Sequence, residues 1–573
     1  MKKIETIRFC IVGTGFSGTC ALVHLVNRLI SARPSSSIEI VTVEERNING
    51  PGYPFDPDSL LPSHLCNTQA RLTSLHDNDF FDWLIENSHR IITTWPNYIK
   101  EVYPTVDIRN WQPSTEDFYP RALYGIYLSE RFNQTVEKAH SHGLKVTILN
   151  GVRVIDGHRK GEMFNIILED AVNGDRSVIE QVDKVLLSTG HWNPNIPSSQ
   201  SPSSETYLDS PYPYKQLEEC ILTWCDKKAS HPLKVFVKGM GPSGIDAILS
   251  VAESGEFHYS EDGHISHYSV PQHQREINIL AGSRSGLFPA VRGNVIDYNF
   301  KYLTADSYYE LASMHGGKLT IDDILSIIDA ELSHATGGRI GWKDITAPQF
   351  SNACEKLKYD ITHPELNSLI YAVIMKARRM KFYRHLEGNE KQRYDRELDS
   401  HFIRIVAPMP ARNGEKLLAL FDAGFLKCVK LGGESDITPR CHGEQYQIYD
   451  VSTNEVHTVD VLIRATGQDF KLSRHPAPLI SSLLEKGEVL ANIEEGYDTG
   501  GLMLDNLDSY TAMCRDVETT QVIRSPFISS FGVIARYWQN ERNYSSAFVK
   551  AAMWLSEEWV EYCFARSHKS PKA

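Results

Sequence analysis

Residues 7–18 read Ile-Arg-Phe-Cys-Ile-Val-Gly-Thr-Gly-Phe-Ser-Gly. The apolar run before Gly13 predicts a short buried strand. Residues 16–31 predict a helix, because Ala21, Leu22, Leu25, Val26 and Leu29 recur near helical spacing. Residues 38–43 (IEIVTV) predict a second strand, which ends at Glu44. The whole is a βαβ unit with a Gly-x-Gly-x-x-Gly turn. In that unit Gly13 allows the tight strand-to-helix turn, and Gly15 lets the backbone approach a pyrophosphate. Gly18 permits close packing of helix on strand. Phe16 and Ser17 sit in the turn whose free N–H groups and partial positive charge attract phosphate. Glu44 stands where an acid holds ribose hydroxyls. The expected ligand is a dinucleotide. The chain comes back towards this N-terminal unit later, so the expected dinucleotide is FAD.

The same pattern recurs at residues 234–244, Lys-Val-Phe-Val-Lys-Gly-Met-Gly-Pro-Ser-Gly. A strand is expected at 234–238, then a turn with Gly239, Gly241, Ser243 and Gly244, then a helix to about 253. The next strand, 277–281, leads to Ser283 and Arg284 rather than to an acid. A 2′-phosphate repels a carboxylate and pairs with a guanidinium, so NADPH is expected over NADH. A solvated Arg284, or a degenerate second site, is the alternative.

Two apolar strands end in Thr-Gly, at Thr189-Gly190 and at Thr466-Gly467. Each is expected to turn against a cofactor, and both are read as returns towards the FAD unit. The fold class is therefore α/β: two Rossmann-like dinucleotide-binding domains with an additional mainly helical region. The expected boundaries are 1–195 for the first part of the FAD-binding domain and 196–318 for the NAD(P)-binding domain. A mainly helical substrate region follows at 319–425. Residues 426–573 are read as a return to the FAD-binding domain with a C-terminal helix.

Composition narrows the function. With 573 residues, three or four domains or one large composite unit are expected at roughly 100–200 residues per domain. The formal net charge of -13 argues against nucleic-acid binding, which needs a basic face. The ten cysteines form no CxxC pair, and even Cys220 and Cys225 are too far apart for one. Reduced thiols in a cytoplasmic protein are expected. Lys2 and Lys3 before an apolar stretch imitate a secretory leader, but the fingerprint glycines break that stretch. No run approaches the roughly 20 apolar residues of a membrane span. Neither HExxH nor a His/Cys cluster suggests a metal, and none is expected.

Several motifs in order resemble the FAD/NAD(P)-binding flavoprotein family, including bacterial flavin-dependent amine N-hydroxylases of the nitrosuccinate-forming type and a urate hydroxylase. They are Gly13 to Gly18; His64-Leu65-Cys66-Asn67 with Arg71-Leu72-Thr73; Phe118-Tyr119-Pro120-Arg121 with Leu123-Tyr124-Gly125; Ser188-Thr189-Gly190; Pro211-Tyr212-Pro213; Gly239 to Gly244 with Asp246; Ser283 to Leu287 with Pro289; and Ala465-Thr466-Gly467. The resemblance implies that Asn67 and Arg71 to Thr73 lie against the flavin. It implies that Arg121 is structural or near the FAD phosphates. His64 is read as a loop or core histidine. The chain departs from the family at Cys66, at Thr68-Gln69-Ala70 and in a His- and Ser-rich insertion at 255–275.

Flavin with NADPH supports hydride transfer to the flavin, then reaction with oxygen to a C4a-hydroperoxide able to oxygenate a nucleophile; the protein positions and shields that chemistry. The expectation is a monooxygenase that hydroxylates a small metabolite, at an amine nitrogen of an amino-acid-like substrate. Its partners are that substrate and molecular oxygen, and a homo-oligomer stays open. The alternatives are a flavin reductase or dehydrogenase without oxygen insertion, and a non-catalytic nucleotide sensor. The chemistry is expected to centre on the flavin, with no Ser-His-Asp or Cys-His set required. Arg292, Asn294, Arg536 and Arg542 are the candidate substrate contacts, since arginines suit a carboxylate. The basic run Lys376 to Lys381 is read as a solvated helix face.

Overall fold

In the first unit, strand Thr6–Val12 and strand Ser37–Glu44 are buried almost end to end. Continuous burial is what a parallel strand covered on both faces requires. The two strands pair in parallel, with Phe9 opposite Ile40 and Val12 opposite Val43. The computed structural model describes residues 6–192, 206–227, 232–271, 276–347, 350–433, 436–439, 445–467, 470–505, 510–535 and 545–569.

Around that pair a six-stranded sheet forms. Its order is Thr511–Arg515, Val522–Ser530, Lys184–Leu187, Thr6–Val12, Ser37–Glu44, Lys145–Asn150. Only the edge pair Thr511–Arg515 and Val522–Ser530 is antiparallel. Helix Phe16–Ala32 covers one face, and the long helix Ser545–Lys569 packs beside it. There the rings of Phe9 and Trp559 stack at 4.8 Å.

The second sheet holds the second fingerprint. Its order is Leu426–Lys430, Ile277–Ser283, Leu233–Lys238, Val461–Arg464, Tyr207–Leu208, all parallel. Adjacent parallel strands need a crossover, usually one helix. Between Ile277–Ser283 and Leu426–Lys430 the crossover is the whole helical region, which includes Ile321–Ala335, Pro364–Arg379 and Ala411–Asp422. Several of those helices bury their apolar faces in the core of the first sheet: Ile328, Leu332, Val373 and Phe402 belong to it.

Two expectations change here. The chain does not return to the first sheet at 426. Strands Leu426–Lys430 and Val461–Arg464 complete the second sheet, and the return comes at Thr511–Arg515 and Val522–Ser530. Residues 319–425 are helical as expected, but they interrupt the second sheet rather than follow it. Both differences share one cause: short apolar strands carry no local mark of the sheet that takes them. Among the described residues no helix is long and apolar enough to cross a membrane.

Candidate functional site

The first fingerprint is held by close backbone contacts. Gly13 has φ +89°, and a Cβ there would lie 2.4 Å from the carbonyl oxygen of Ser188. A Cβ on Gly18 would lie 2.0 Å from the Gly13 oxygen. Glycine is thus required at both positions. Ser188 Oγ locks the turn by donating to the Gly13 oxygen at 2.7 Å. Gly15 caps helix Phe16–Ala32 with no side-chain hydrogen bond, so the first-turn N–H groups are left for a ligand.

Glu44 is buried and faces the same turn. One carboxylate oxygen accepts from the Thr14 N–H (2.9 Å) and lies 3.0 Å from Thr14 Oγ1; the other accepts from Arg46 N and Nε, both at 3.2 Å. Thr14 Oγ1 has one proton and is also 2.8 Å from Asn49 Oδ1. When it donates to Asn49, a Glu44 lone pair is free for a hydroxyl.

The second fingerprint repeats this construction. Gly239 has φ +117°, and its Cβ would meet the Ala465 oxygen at 2.3 Å; a Cβ on Gly244 would meet the Gly239 oxygen at 2.1 Å. Each Thr-Gly strand end therefore serves its own fingerprint: Ser188-Thr189-Gly190 closes over Gly13, and Ala465-Thr466-Gly467 closes over Gly239. That corrects the reading of both as returns to one domain. Gly241 caps helix Pro242–Ala252, and among the described residues nothing beyond its chain neighbours lies within 4 Å of where a Cβ would be. Ser283 Oγ accepts from the Gly286 N–H at 3.1 Å, which shapes the loop carrying the exposed Arg284.

A cavity of about 1620 Å³ begins at Gly13, Gly15, Phe16 and Ser17, passes Glu44, and reaches Pro242, Ile245 and Asp246 in the first turns of the second fingerprint's helix. Asn67, Thr73, Thr189 and Gly190 line it. Of the other expected cofactor residues, Gly18 and Gly244 are packed behind the turns, while Gly239, Gly241, Ser243, Ser283, Arg284, Thr466 and Gly467 lie outside its wall. Arg71 is also outside and pairs with Glu116 at 2.7 Å. Asn294 is exposed and outside. Arg292, two residues before it, is buried. Arg536 and Arg542 lie outside the described residues.

The walls fit a large polar ligand. Thr189 Oγ1, Tyr124 OH, Trp192 Nε1, His475 Nε2 and Arg121 Nε are buried, belong to cavity-lining residues, and have no hydrogen-bond partner among the described residues. Such groups are costly unless something else meets them. His475 is informative. Its Nδ1 accepts from the Ala477 N–H at 3.1 Å, so the neutral ring carries its proton on Nε2. Burial pushes its pKa down to about 4, which keeps it a neutral donor.

One cluster ties the two units together. The Arg121 guanidinium pairs with Asp246, and Tyr212 OH donates to the same carboxylate. Arg121 also lies 5.8 Å from the Tyr212 ring centroid. Arg121 starts the helix Arg121–Ser141 of the first unit, while Asp246 belongs to the second fingerprint's helix. Nearby, the fully buried His64 accepts from the Leu61 N–H at Nδ1 (3.2 Å) and meets Ser250 Oγ at Nε2 (3.0 Å). Burial lowers its pKa to about 4. His64 is thus a core histidine at the junction.

The sequence reading missed a helix face. Tyr371, Met375, Arg378 and Arg379 line the large cavity from helix Pro364–Arg379. Arg378 is buried, so the expectation of a solvated basic face fails at this position. The signal was available: 371, 375 and 378 follow helical spacing. Cys66 also lines the cavity; burial raises its thiol to about 12, so no thiolate is available there.

With the geometry in hand, the family described as FAD-NAD(P)-binding matches residues 10–192. That segment is an FAD/NAD(P)-binding domain. A curated relative, the uncharacterized protein YdhS of Escherichia coli (strain K12), is 22% identical over 534 residues, covering 87% of this chain and 89% of its own length. The reduced form of the ornithine hydroxylase PvdA from Pseudomonas aeruginosa superposes with a TM-score of 0.51 at 13% identity, covering 97% of this chain and all of that one. At that identity the likeness concerns the fold.

Proposed function

We propose that the protein is an FAD- and NADPH-dependent monooxygenase that hydroxylates a small metabolite at an amine nitrogen of an amino-acid-like substrate. One observation carries the reading: a single cavity runs from the first fingerprint to the first turns of the second fingerprint's helix. A dinucleotide on each glycine turn would bring its redox end into shared space. Bound FAD would accept hydride from NADPH and activate oxygen.

The chain's own part is binding and shielding. The first-turn N–H groups of helix Phe16–Ala32 hold the FAD pyrophosphate, and Glu44 with Thr14 orders the ribose. Arg284 meets the 2′-phosphate of NADPH. Trp192 Nε1 and His475 Nε2 donate into the cavity, while Asn67 and Thr73 border it on the side of helix Arg121–Ser141. Arg121 spends its charge on Asp246, which makes it a positioning residue between the two units.

A thiol–disulfide reductase reading is disfavoured by the cysteines. None of the described ones forms a pair, and burial raises both thiols that line the cavity, Cys66 and Cys220, which holds them protonated.

The test is product analysis on the purified yellow protein. NADPH oxidation with oxygen uptake and an N-oxygenated product supports the proposal. Stoichiometric hydrogen peroxide without an oxygenated product favours a reductase. Failure to retain or take up FAD removes the reading altogether.

A further inference from the structure

A second, smaller cavity of about 260 Å³ lies in the wall of the helical region. It is below the size that drug-like ligands need and suits a small metabolite. Tyr371 and Pro408 belong to its wall and also to the wall of the large cavity.

Arg292 lines this pocket and is only 7% exposed. Its backbone is pinned by the N–H donating to the Met409 oxygen at 2.8 Å. Its guanidinium lies 4.1 Å from the Tyr371 ring centroid, and Nη2 donates to Gln69 Oε1 at 3.4 Å. Nε has no partner, and among the described residues no carboxylate pairs with this cation. A buried unpaired guanidinium is costly, so the site is incomplete as it stands.

The neighbouring charges do not complete it. Arg404 is a second guanidinium in the lining, and it donates to the Ile345 oxygen at 2.5 Å rather than to an acid. Asp360 is taken by Lys356 Nζ. Asp344 accepts the Gly341 N–H at 2.8 Å, and the lining also includes Arg339. Cations therefore exceed carboxylates. Phe288, Ile345, Phe350 and Ile405 make much of the remaining wall apolar, and the polar Asn367 in it donates to the Asp360 backbone oxygen at 2.8 Å.

We propose that this pocket is the carboxylate subsite for the oxidisable substrate: Arg292 takes the carboxylate of a small acid with an apolar body, and the substrate's reacting end extends past Tyr371 into the large cavity. This rests on the reading above and names the substrate class for it. Gln69 couples the subsite to the flavin-side loop, since its neighbour Thr68 lines the large cavity.

The test uses the full-length, FAD-loaded protein without NADPH, read by isothermal titration calorimetry. The probes are phenylacetate, hexanoate and 4-methylpentanoate, with phenylacetamide as the neutral isostere. At least one acid should bind, and phenylacetamide should bind at least about tenfold more weakly than phenylacetate, the value of a charge-assisted hydrogen bond. Arg292→Gln should abolish acid binding, and Arg292→Lys should restore part of it, because lysine keeps the charge but not the fork. Melting temperature and flavin spectrum are recorded for both variants. The acid–amide comparison in the unaltered protein stands even where a variant fails to fold. Equal binding of acid and amide, no binding of any of the three acids, or full acid binding by a folded Arg292→Gln protein overturns the proposal. Flavin retention and NADPH-driven flavin reduction are measured on the same preparation. If those hold while the acids do not bind, only the subsite falls; if those fail, the monooxygenase reading falls.

Discussion

Gly241→Ala separates a glycine kept for a ligand from one kept for the fold. Gly241 has φ −75° and ψ −169°, which alanine adopts freely, and among the described residues no atom beyond its chain neighbours lies within 4 Å of the added methyl. The protein alone has no reason to resist it, so stability should change by no more than about 0.5 kcal/mol. A phosphate oxygen meeting the turn's N–H groups must come to about 2.9 Å. A methyl carbon holds its neighbours at about 3.5 Å or more. The phosphate is pushed out, and one charge-assisted hydrogen bond, about 1.5–3 kcal/mol, is lost. The NADPH dissociation constant should rise roughly 10- to 150-fold. The assay is anaerobic flavin reduction at rising NADPH, with the melting temperature and FAD content measured alongside. Gly239→Ala is the contrast: with φ +117° and a Cβ 2.3 Å from the Ala465 oxygen, it should disrupt folding outright. Unchanged NADPH affinity in Gly241→Ala would refute the second fingerprint as a pyrophosphate site. A collapse in its melting temperature would refute the packing argument.

Three further outcomes are expected. Arg284→Ala should weaken NADPH about tenfold or more and leave NADH nearly untouched, with the NADPH advantage shrinking at high salt; a parallel loss for both nucleotides contradicts the 2′-phosphate role. His64 has a folded pKa of about 4, below its unfolded value of about 6.5, so the unfolded chain takes the proton first. Its contribution is complete above pH 6.5 and is lost as pH falls towards 4, by roughly 1.4 kcal/mol per pH unit. His401 and His475 act in the same direction, so His64→Asn should show a shallower slope of stability against pH between 6.5 and 5; an identical slope counts against burial as the cause. Cys66→Ser should keep NADPH oxidation within a few-fold, since no thiolate exists to lose; abolished turnover with FAD still bound would bring back a thiol mechanism.

The fingerprint turns were legible because their geometry is local. Gly13 and Gly239 satisfy a positive φ and a carbonyl contact within one turn, and spacing alone encodes both. The assignment of strands to sheets was not legible. Leu426–Lys430 and Val461–Arg464 are short apolar runs whose partners lie far away in sequence, and nothing in them names Ile277–Ser283 or Leu233–Lys238. Arg378 misled for the opposite reason: charge density in Lys376 to Lys381 suggests solvent, yet the helix turns one member inward. Arg292 could be nominated from sequence. Its lack of a carboxylate partner becomes visible only once Tyr371, Gln69 and Arg404 are assembled around it.

The interleaving of the two sheets governs how the chain can be made. The second sheet opens at Tyr207–Leu208 and receives its last strand at Val461–Arg464; the first opens at Thr6–Val12 and waits for Val522–Ser530. On a ribosome, the leading βαβ unit emerges with its sheet unfinished, and it stays so until residue 530 has been synthesised. Contacts this distant in sequence form slowly, and exposed strand edges in the interim invite aggregation. A fragment ending at residue 192 would lack both late strands and the covering C-terminal helix. A soluble, flavin-binding piece of this protein should therefore be obtained by co-expressing complementary segments rather than by cutting out a domain.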